Sequence, residues 1–290
     1  MRSLWMILVS LVLLGEVSAQ CIDKEILYEK EDSLIIQSYL QQFSDSTNKT
    51  TGTLIAETGL FLLNTPYVAS TLEGHSPEKL VVNLRSFDCT TFLESVMALT
   101  LTLKQQGDFE DYCHNLEFVR YRDGKRDGYL SRLHYFSEWI LNNQKKGLVR
   151  DVTKEMNGEE IYFDLNFMST HYQAYEALAA NAAWIPSIEE TEECVRSTPF
   201  YYLPKAEVNK QSGMIENGDL IAITTAIEGL DISHVGIAYK KGGVVKLMNA
   251  SLTEKKVVVS TMTLADYLAS NKKQTGIIVL RMIGELPCIK

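Results

Sequence analysis

The chain has 290 residues, 46% of them hydrophobic, with 6 prolines and a formal charge of −9. That composition excludes a disordered chain, because enough apolar surface is present to build a sizeable core. The acidic balance argues against a nucleic-acid backbone or an anionic membrane surface as partner.

Met1-Arg2 forms a short positive region, Leu4 to Leu14 an apolar run and Val17-Ser18-Ala19 a small-residue site, the pattern of a secretory signal over residues 1–19. The run is too short to span a membrane, which takes about 20 residues, and no later stretch is long enough. A lipid anchor on Cys21 is the lesser reading, since Gln20 stands where Gly, Ala or Ser normally precedes a lipid-modified cysteine. Residues 20–290 are expected to form one catalytic domain with no internal repeat.

Residues 22–43 read as a helix and Ser44 to Thr53 as a polar linker. Leu54 to Leu63 forms a second helix ending at Asn64-Thr65-Pro66, and Val81 to Phe87 a short extended segment. Phe92, Val96, Leu99 and Leu103 then recur as a helical stripe, with Asp88 as N-cap and Cys89 in the first turn. Unpaired N–H groups and the positive end of the helix dipole favour a thiolate there. The competing reading is a buried cysteine packed as a small hydrophobe. From about 108 to 193 the chain is rich in aromatic residues and reads as a mostly helical insertion.

The last third carries runs of β character at Asp219 to Thr224, His234 to Tyr239, Val244 to Asn249, Lys256 to Ser260 and Gly276 to Met282, with one helix, Leu264 to Ala269, capped by Thr263. Sequential strands with short loops favour an antiparallel sheet, so the fold class is α+β. If Lys240 stands opposite Gly243, His234 faces Asn249 across a hairpin. Gly236 and Ala238 then leave room on that face for the Cys89 helix.

A thiol at a helix start, a histidine and an amide make the Cys-His-polar arrangement of papain-like enzymes: Cys89 attacks a carbonyl, His234 moves its proton, and Asn249 orients the imidazole. Taken singly, His234 reads more readily as a core histidine, and Asn249 as a strand end or part of a glycosylation pattern; it is their joint placement with Cys89 that favours chemistry. The remaining cysteines, Cys21, Cys113, Cys194 and Cys288, form an even set in an oxidising compartment. Cys21–Cys288 with Cys113–Cys194 is the attractive pairing, although three connectivities are open.

Asp88-Cys89, Gly218-Asp219-Leu220-Ile221 and Ser233-His234-Val235-Gly236-Ile237 resemble the signature blocks of the NlpC-type bacterial cell-wall cysteine peptidases, and Pro66-Tyr67 their upstream tyrosine block. Phe87 to Phe92, Ser131-Arg132-Leu133-His134-Tyr135 and Leu230 to His234 resemble the N-acetylmuramoyl-L-alanine amidase-like branch. The resemblance implies a papain-like core, a nucleophile-bearing helix on an antiparallel sheet. It implies cleavage of the amide between N-acetylmuramic acid and L-Ala without metal or cofactor, a peptidoglycan or muropeptide substrate, and a periplasmic or secreted bacterial location. Many members carry His where this chain has Asn249.

Tyr67, Asp88 and Ser233, in or beside those blocks, and Arg132 and His134 of the branch segment are the implied substrate-binding set. For Arg132 and His134 a solvated helix face is the competing reading. The alternatives in function are cleavage between D-Glu and the diamino acid, a zinc amidase, and a non-catalytic glycan-binding module. The histidines lack H-E-x-x-H or other compact ligand spacing.

Overall fold

The computed structural model describes residues 25–283. The signal segment, Cys21 and Cys288 lie outside the described residues. A two-residue strand, β1 (Ile26–Leu27), pairs in parallel with β2 (Leu80–Val81). The first helix, α1 (Lys30–Gln42), begins eight residues later than expected because Asp32 accepts from the Glu29 N–H at 2.9 Å and closes the helix start there. The other oxygen of Asp32 accepts from Leu84 N–H at 2.8 Å, tying α1 to the segment that leads into Cys89.

The helix α2 (Thr51–Phe61) is capped by Thr50, and α3 (Cys89–Gln105) by Asp88, whose carboxylate accepts from Thr91 N–H at 2.8 Å. Every residue of α3 from Thr91 to Leu103 is buried, so the helix has no solvent face. Its polar positions, which a stripe pattern would turn outward, are met internally instead. Tyr39 Oη, Thr58 Oγ1 and Thr100 Oγ1 form a chain at 2.6 and 3.2 Å, Asn115 donates to Thr102 Oγ1 at 3.0 Å, and Arg120 donates to Glu94 at 2.7 Å.

The middle of the chain runs through α4 (Phe109–Arg120), α5 (Phe136–Lys145), β3 (Val149–Asp151), β4 (Glu159–Ile161), α6 (Phe167–Thr170), α7 (Glu176–Ala180), α8 (Ile185–Arg196), β5 (Phe200–Pro204) and α9 (Val208–Gln211). It is mostly helical, yet its strands join the main sheet. β6 (Leu220–Thr225), β7 (Ile232–Lys241), β8 (Val244–Ser251), β9 (Lys256–Val259), α10 (Leu264–Ala269) and β10 (Gln274–Met282) complete the chain. The strands order as β4-β5-β10-β6-β7-β8-β9, all antiparallel, with β3 on the far end of β10. This is an α+β architecture. Leu220, Ala222, Val235, Ile237 and Met248 share a core with α1 to α5 on one face. Ile221, Ile223, Ala238 and Leu247 share a second with α9 and α10 on the other.

Two expectations about β7 are corrected. Lys241 stands opposite Val244, and Gly242 and Gly243 take φ of +58° and +80°, the two-residue turn that a tight hairpin prefers. Lys240 therefore faces Val245, a slip of two residues, and His234 lies diagonal to Asn249 rather than opposite it. A slip of two preserves the face, so the two side chains still meet. The small residues do not make room for α3, which packs against the face bearing Val235 and Ile237. Gly236 is small because its next neighbour is Asn249: an added Cβ would lie 2.7 Å from Met248 O and 3.1 Å from Asn249 Cβ.

Cys113 is buried and unpaired and Cys194 is exposed and unpaired, so the bridge between them is not formed. Alkylation of the native protein should label Cys194 readily and Cys113 only after unfolding; equal protection of both against a small reagent would contradict this. Gly236→Ala should destabilise the fold by about 1–3 kcal/mol, because the new methyl meets backbone that cannot swing away. Chemical denaturation measures this, and an unchanged midpoint would mean that β8 yields.

Candidate active site

Cys89 is the first residue of α3, held by the Asp88 cap and by a strip of backbone beneath it: Phe87 N–H donates to Pro66 O and Val68 N–H to Phe87 O, both at 2.9 Å. This pairing lays Tyr67 beside the thiol. Its phenol is pushed above its ordinary pKa first by burial and then by the charges of Cys89 and Asp88.

β7 carries an extra residue at Ser233, since Ile223 pairs with His234 while its neighbour Thr224 pairs with Ile232. Bulges of this kind re-aim a neighbouring side chain. His234, immediately after it, lies close enough to the Cys89 thiol for the charges of the two to act on each other, and Nε2 of His234 lies 2.9 Å from Asn249 Oδ1. Because an amide oxygen only accepts, Nε2 carries the proton and Nδ1 is left for the sulfur. Asn249 is 1% exposed, so this orienting bond is shielded from water.

Burial works against a charged Cys89, but the positive charge and hydrogen bond of His234, with the Val235 backbone N–H, overcome it and hold the thiol below its usual pKa. Asp88 opposes that shift. Burial likewise disfavours a charged imidazole, and the Cys89 charge and hydrogen bond, with the bond to Asn249, raise His234 above its usual value. Both directions favour the thiolate–imidazolium pair, the form in which a thiol is a nucleophile and its neighbour a proton donor.

A cleft of about 270 Å³ opens beside the pair. Tyr67 lies against Cys89, while Asp88, Arg132, His134 and Ser233 all line the cleft, although not all are free to act there. The Asp88 carboxylate is committed to the helix cap. Arg132, 5% exposed, donates to Glu73 at 2.7 Å and to Leu72 O at 3.0 Å, lies 3.7 Å from Glu78 and covers the Tyr129 ring. Its charge is already matched within the protein. His134 bonds Tyr129 O through Nε2 at 2.9 Å, and burial, then Arg132, hold its pKa down to about 3, so the ring is neutral. Neither residue lies on a solvated helix face. Ser233 is exposed at the mouth.

Two contributions escaped sequence reasoning. The buried Glu94–Arg120 pair forms part of the cleft floor, signalled only by the one acidic residue of the helix. Asp231, also buried, accepts from Ser137 N–H at 2.7 Å and so ties the start of α5 to β7. Among the described residues, no cluster of three or more His, Cys, Asp or Glu side chains is placed to hold a metal ion.

A family model described as AmiA-like, N-acetylmuramoyl-L-alanine amidase-like, matches residues 57–277. The chain belongs to this AmiA-like family. An N-acetylmuramoyl-L-alanine amidase from Bacteroides uniformis is similar in structure with a TM-score of 0.77 and 42% identity, over 80% of this chain and 98% of that one. A putative xylanase from Bacteroides fragilis matches at TM-score 0.74 and 42% identity, over 78% of this chain and 99% of that one. A Legionella pneumophila protein, 24% identical with a TM-score of 0.65 over 88% of this chain and 98% of that one, shares the fold. No curated protein matches the sequence.

The lowered Cys89 pKa of this AmiA-like protein has a direct readout. Iodoacetamide should alkylate Cys89 at pH 6–7 faster than free cysteine, whose pKa is about 8.5. The rate should fall only as pH drops through the lowered thiol value. His234→Ala should move that inflection upward, and an unmoved inflection would remove the ion pair.

Proposed function

We propose that this AmiA-like chain is a cysteine amidase that cleaves the bond between the lactyl group of N-acetylmuramic acid and the first L-Ala of the peptidoglycan stem. The observation that carries the reading is Cys89 at the N-terminus of α3 sharing the cleft with His234, which Asn249 holds by a 2.9 Å bond, in a family described as amidase-like. The resemblance to NlpC-type peptidases gives the mechanism its papain-like form.

The Cys89 thiolate attacks the lactyl carbonyl carbon, and the amide π electrons move onto oxygen. The Cys89 backbone N–H faces that oxyanion at the positive end of α3, with Tyr67 beside it. Collapse breaks the C–N bond while His234 gives its proton to the departing L-Ala nitrogen, leaving a thioester. His234, now neutral, takes a proton from water, whose oxygen displaces the sulfur and restores the pair. Asn249 keeps the imidazole in one tautomer throughout. The leader reading of residues 1–19 places this chemistry in the periplasm or outside the cell.

The choice of bond is tested by weighing the products of a defined disaccharide-tetrapeptide. Free disaccharide and tetrapeptide are expected, whereas a disaccharide still carrying L-Ala-D-Glu would assign the cut to the diamino acid instead. Turnover should persist in EDTA and vanish in Cys89→Ser; the opposite pattern would point to a metal enzyme. Asn249→Ala should lower kcat at least about tenfold, roughly 1.4 kcal/mol of transition-state stabilisation, with a smaller effect on KM. Lys246→Ala, whose side chain points to the other face of β8 and reaches Thr261 O, should change little. Equal effects in the two variants would remove the orienting role of Asn249.

A further inference from the structure

Lys146, the residue after α5, is 8% exposed, and its ammonium group ends inside the protein. It donates to Phe118 O, to Val119 O at 3.4 Å and to Tyr121 O at 3.1 Å, and lies 5.2 Å from the centre of the Phe118 ring. These carbonyls belong to the last turn of α4 and the residue after it, where a helix leaves its C=O groups without internal partners and its dipole favours a cation. Asn143 Nδ2 also donates to Val119 O, at 3.2 Å, so the helix end keeps one side-chain donor when Lys146 loses its proton or is replaced.

Arg120 stands in the middle of that carbonyl cluster. Its guanidinium reaches the other way, to Glu94 at 2.7 Å and to Val81 O at 2.8 Å, and with Glu94 it lines the cleft. Its own carbonyl accepts from Leu133 N–H at 3.1 Å, and Tyr121 pairs with Arg132, so the backbone that Lys146 holds also carries part of the cleft wall. Burial pushes the Lys146 pKa down to about 7, while Glu94 of α3 and Asp123, just beyond α4, pull it upward. Of the neighbouring cations, Arg120 is turned to Glu94 and Lys145 outward to Asp123 at 2.7 Å. Losing the proton leaves Lys146 two N–H groups for three carbonyls and sets a lone pair against an oxygen.

We propose that Lys146 is a positioning residue for the cleft, an ammonium clamp on the end of α4 that fixes the Arg120–Glu94 floor and the Arg132–Leu133 wall, and that release of its proton weakens substrate binding without altering the reacting pair. The inference deepens the amidase reading and rests on it for the identity of the substrate. The clamp is closed in the protonated form, so binding is tight at pH values below the Lys146 pKa and weakens as pH rises through it. Cys89 and His234 are supported by α3, β7 and Asn249 and stand outside the clamp. The effect therefore falls on KM rather than on kcat.

Steady-state kinetics on a defined disaccharide-tetrapeptide, run from about pH 6 to about pH 8.5, test this in three proteins. In the unsubstituted protein KM should rise about fivefold across that span. Lys146→Arg, whose guanidinium keeps its charge, should hold KM near the low value throughout, and Lys146→Met near the high value, with kcat of all three within about twofold at each pH. The same KM profile in all three, or a loss in Lys146→Met that falls on kcat, would overturn the proposal. A second measurement needs neither variant: nuclear magnetic resonance of the unsubstituted protein, labelled at the lysine ε-carbons and arginine nitrogens, should show one lysine titrating near pH 7 and the Arg120 Nε–H signal moving with the same midpoint. Absence of such a lysine, or an Arg120 signal that stays still through its midpoint, would equally sink the clamp. That titration requires no turnover, so a failure of the amidase reading, which shows in the product masses, is told apart from a failure of this one.

Discussion

A helix buried on every side cannot leave a polar group without a partner, and α3 meets that demand with side chains drawn from several surrounding elements. Thr58 and Tyr39 reach Thr100 from α2 and α1, Asn115 reaches Thr102 from α4, and Arg120 reaches Glu94. Removing one member of a buried ion pair typically costs about 3–5 kcal/mol, because the other charge is left stranded. Each of these bonds therefore constrains how α3 can rotate or slide. Its first residue is Cys89, so the position of the sulfur is inherited from packing along the whole helix rather than from the loop that precedes it.

The electrostatics at that end are a contest with a clear winner. Burial and the adjoining Asp88 carboxylate both oppose a charged sulfur, and the chain as a whole is acidic. The imidazole and the Val235 N–H act on the sulfur directly, and the imidazole is itself held by a shielded amide. Asp88 is not a flaw in this design. Its charge raises His234 while it disfavours the thiolate, and its oxygen is engaged by the Thr91 N–H and hydroxyl, which fix the helix start.

Much of this was readable in advance where a local rule had no rival. α10 lies at Leu264–Ala269 as expected, because Thr263 supplies an unambiguous cap, and the five late strands lie close to their β runs. α3 was legible in extent but not in environment, since its threonines and glutamate look like a wet face until their distant partners are known. The start of α1 was missed because Ile26 continues an apolar pattern that β1 uses for pairing instead. β3, β4 and β5 are short and take their place in the sheet from β10 or from one another, so nothing local announces them. The hairpin slipped by two residues, yet the His234–Asn249 pairing held because faces repeat every second residue. Arg132 and His134 line the cleft, while the carboxylates and carbonyl that occupy them come from residues sequence could not bring near.

The bond from Asp231 to Ser137 joins two parts of the chain with different work to do. The groups that hold the sulfur and imidazole come from α3 and the late strands, whereas Arg132, His134, Tyr135, Met168 and Tyr175 of the cleft wall come from the middle of the chain. The cleft wall thus draws on a separate stretch of sequence from the sulfur and imidazole, and Asp231 is one of the buried ties, with Glu94–Arg120 and the pairing of β3 and β5 with β10, that hold the two together. A change in the middle segment that keeps those ties can reshape the cleft wall while leaving the support of Cys89 and His234 in place. The fold is, in that sense, a fixed tool with an exchangeable jig.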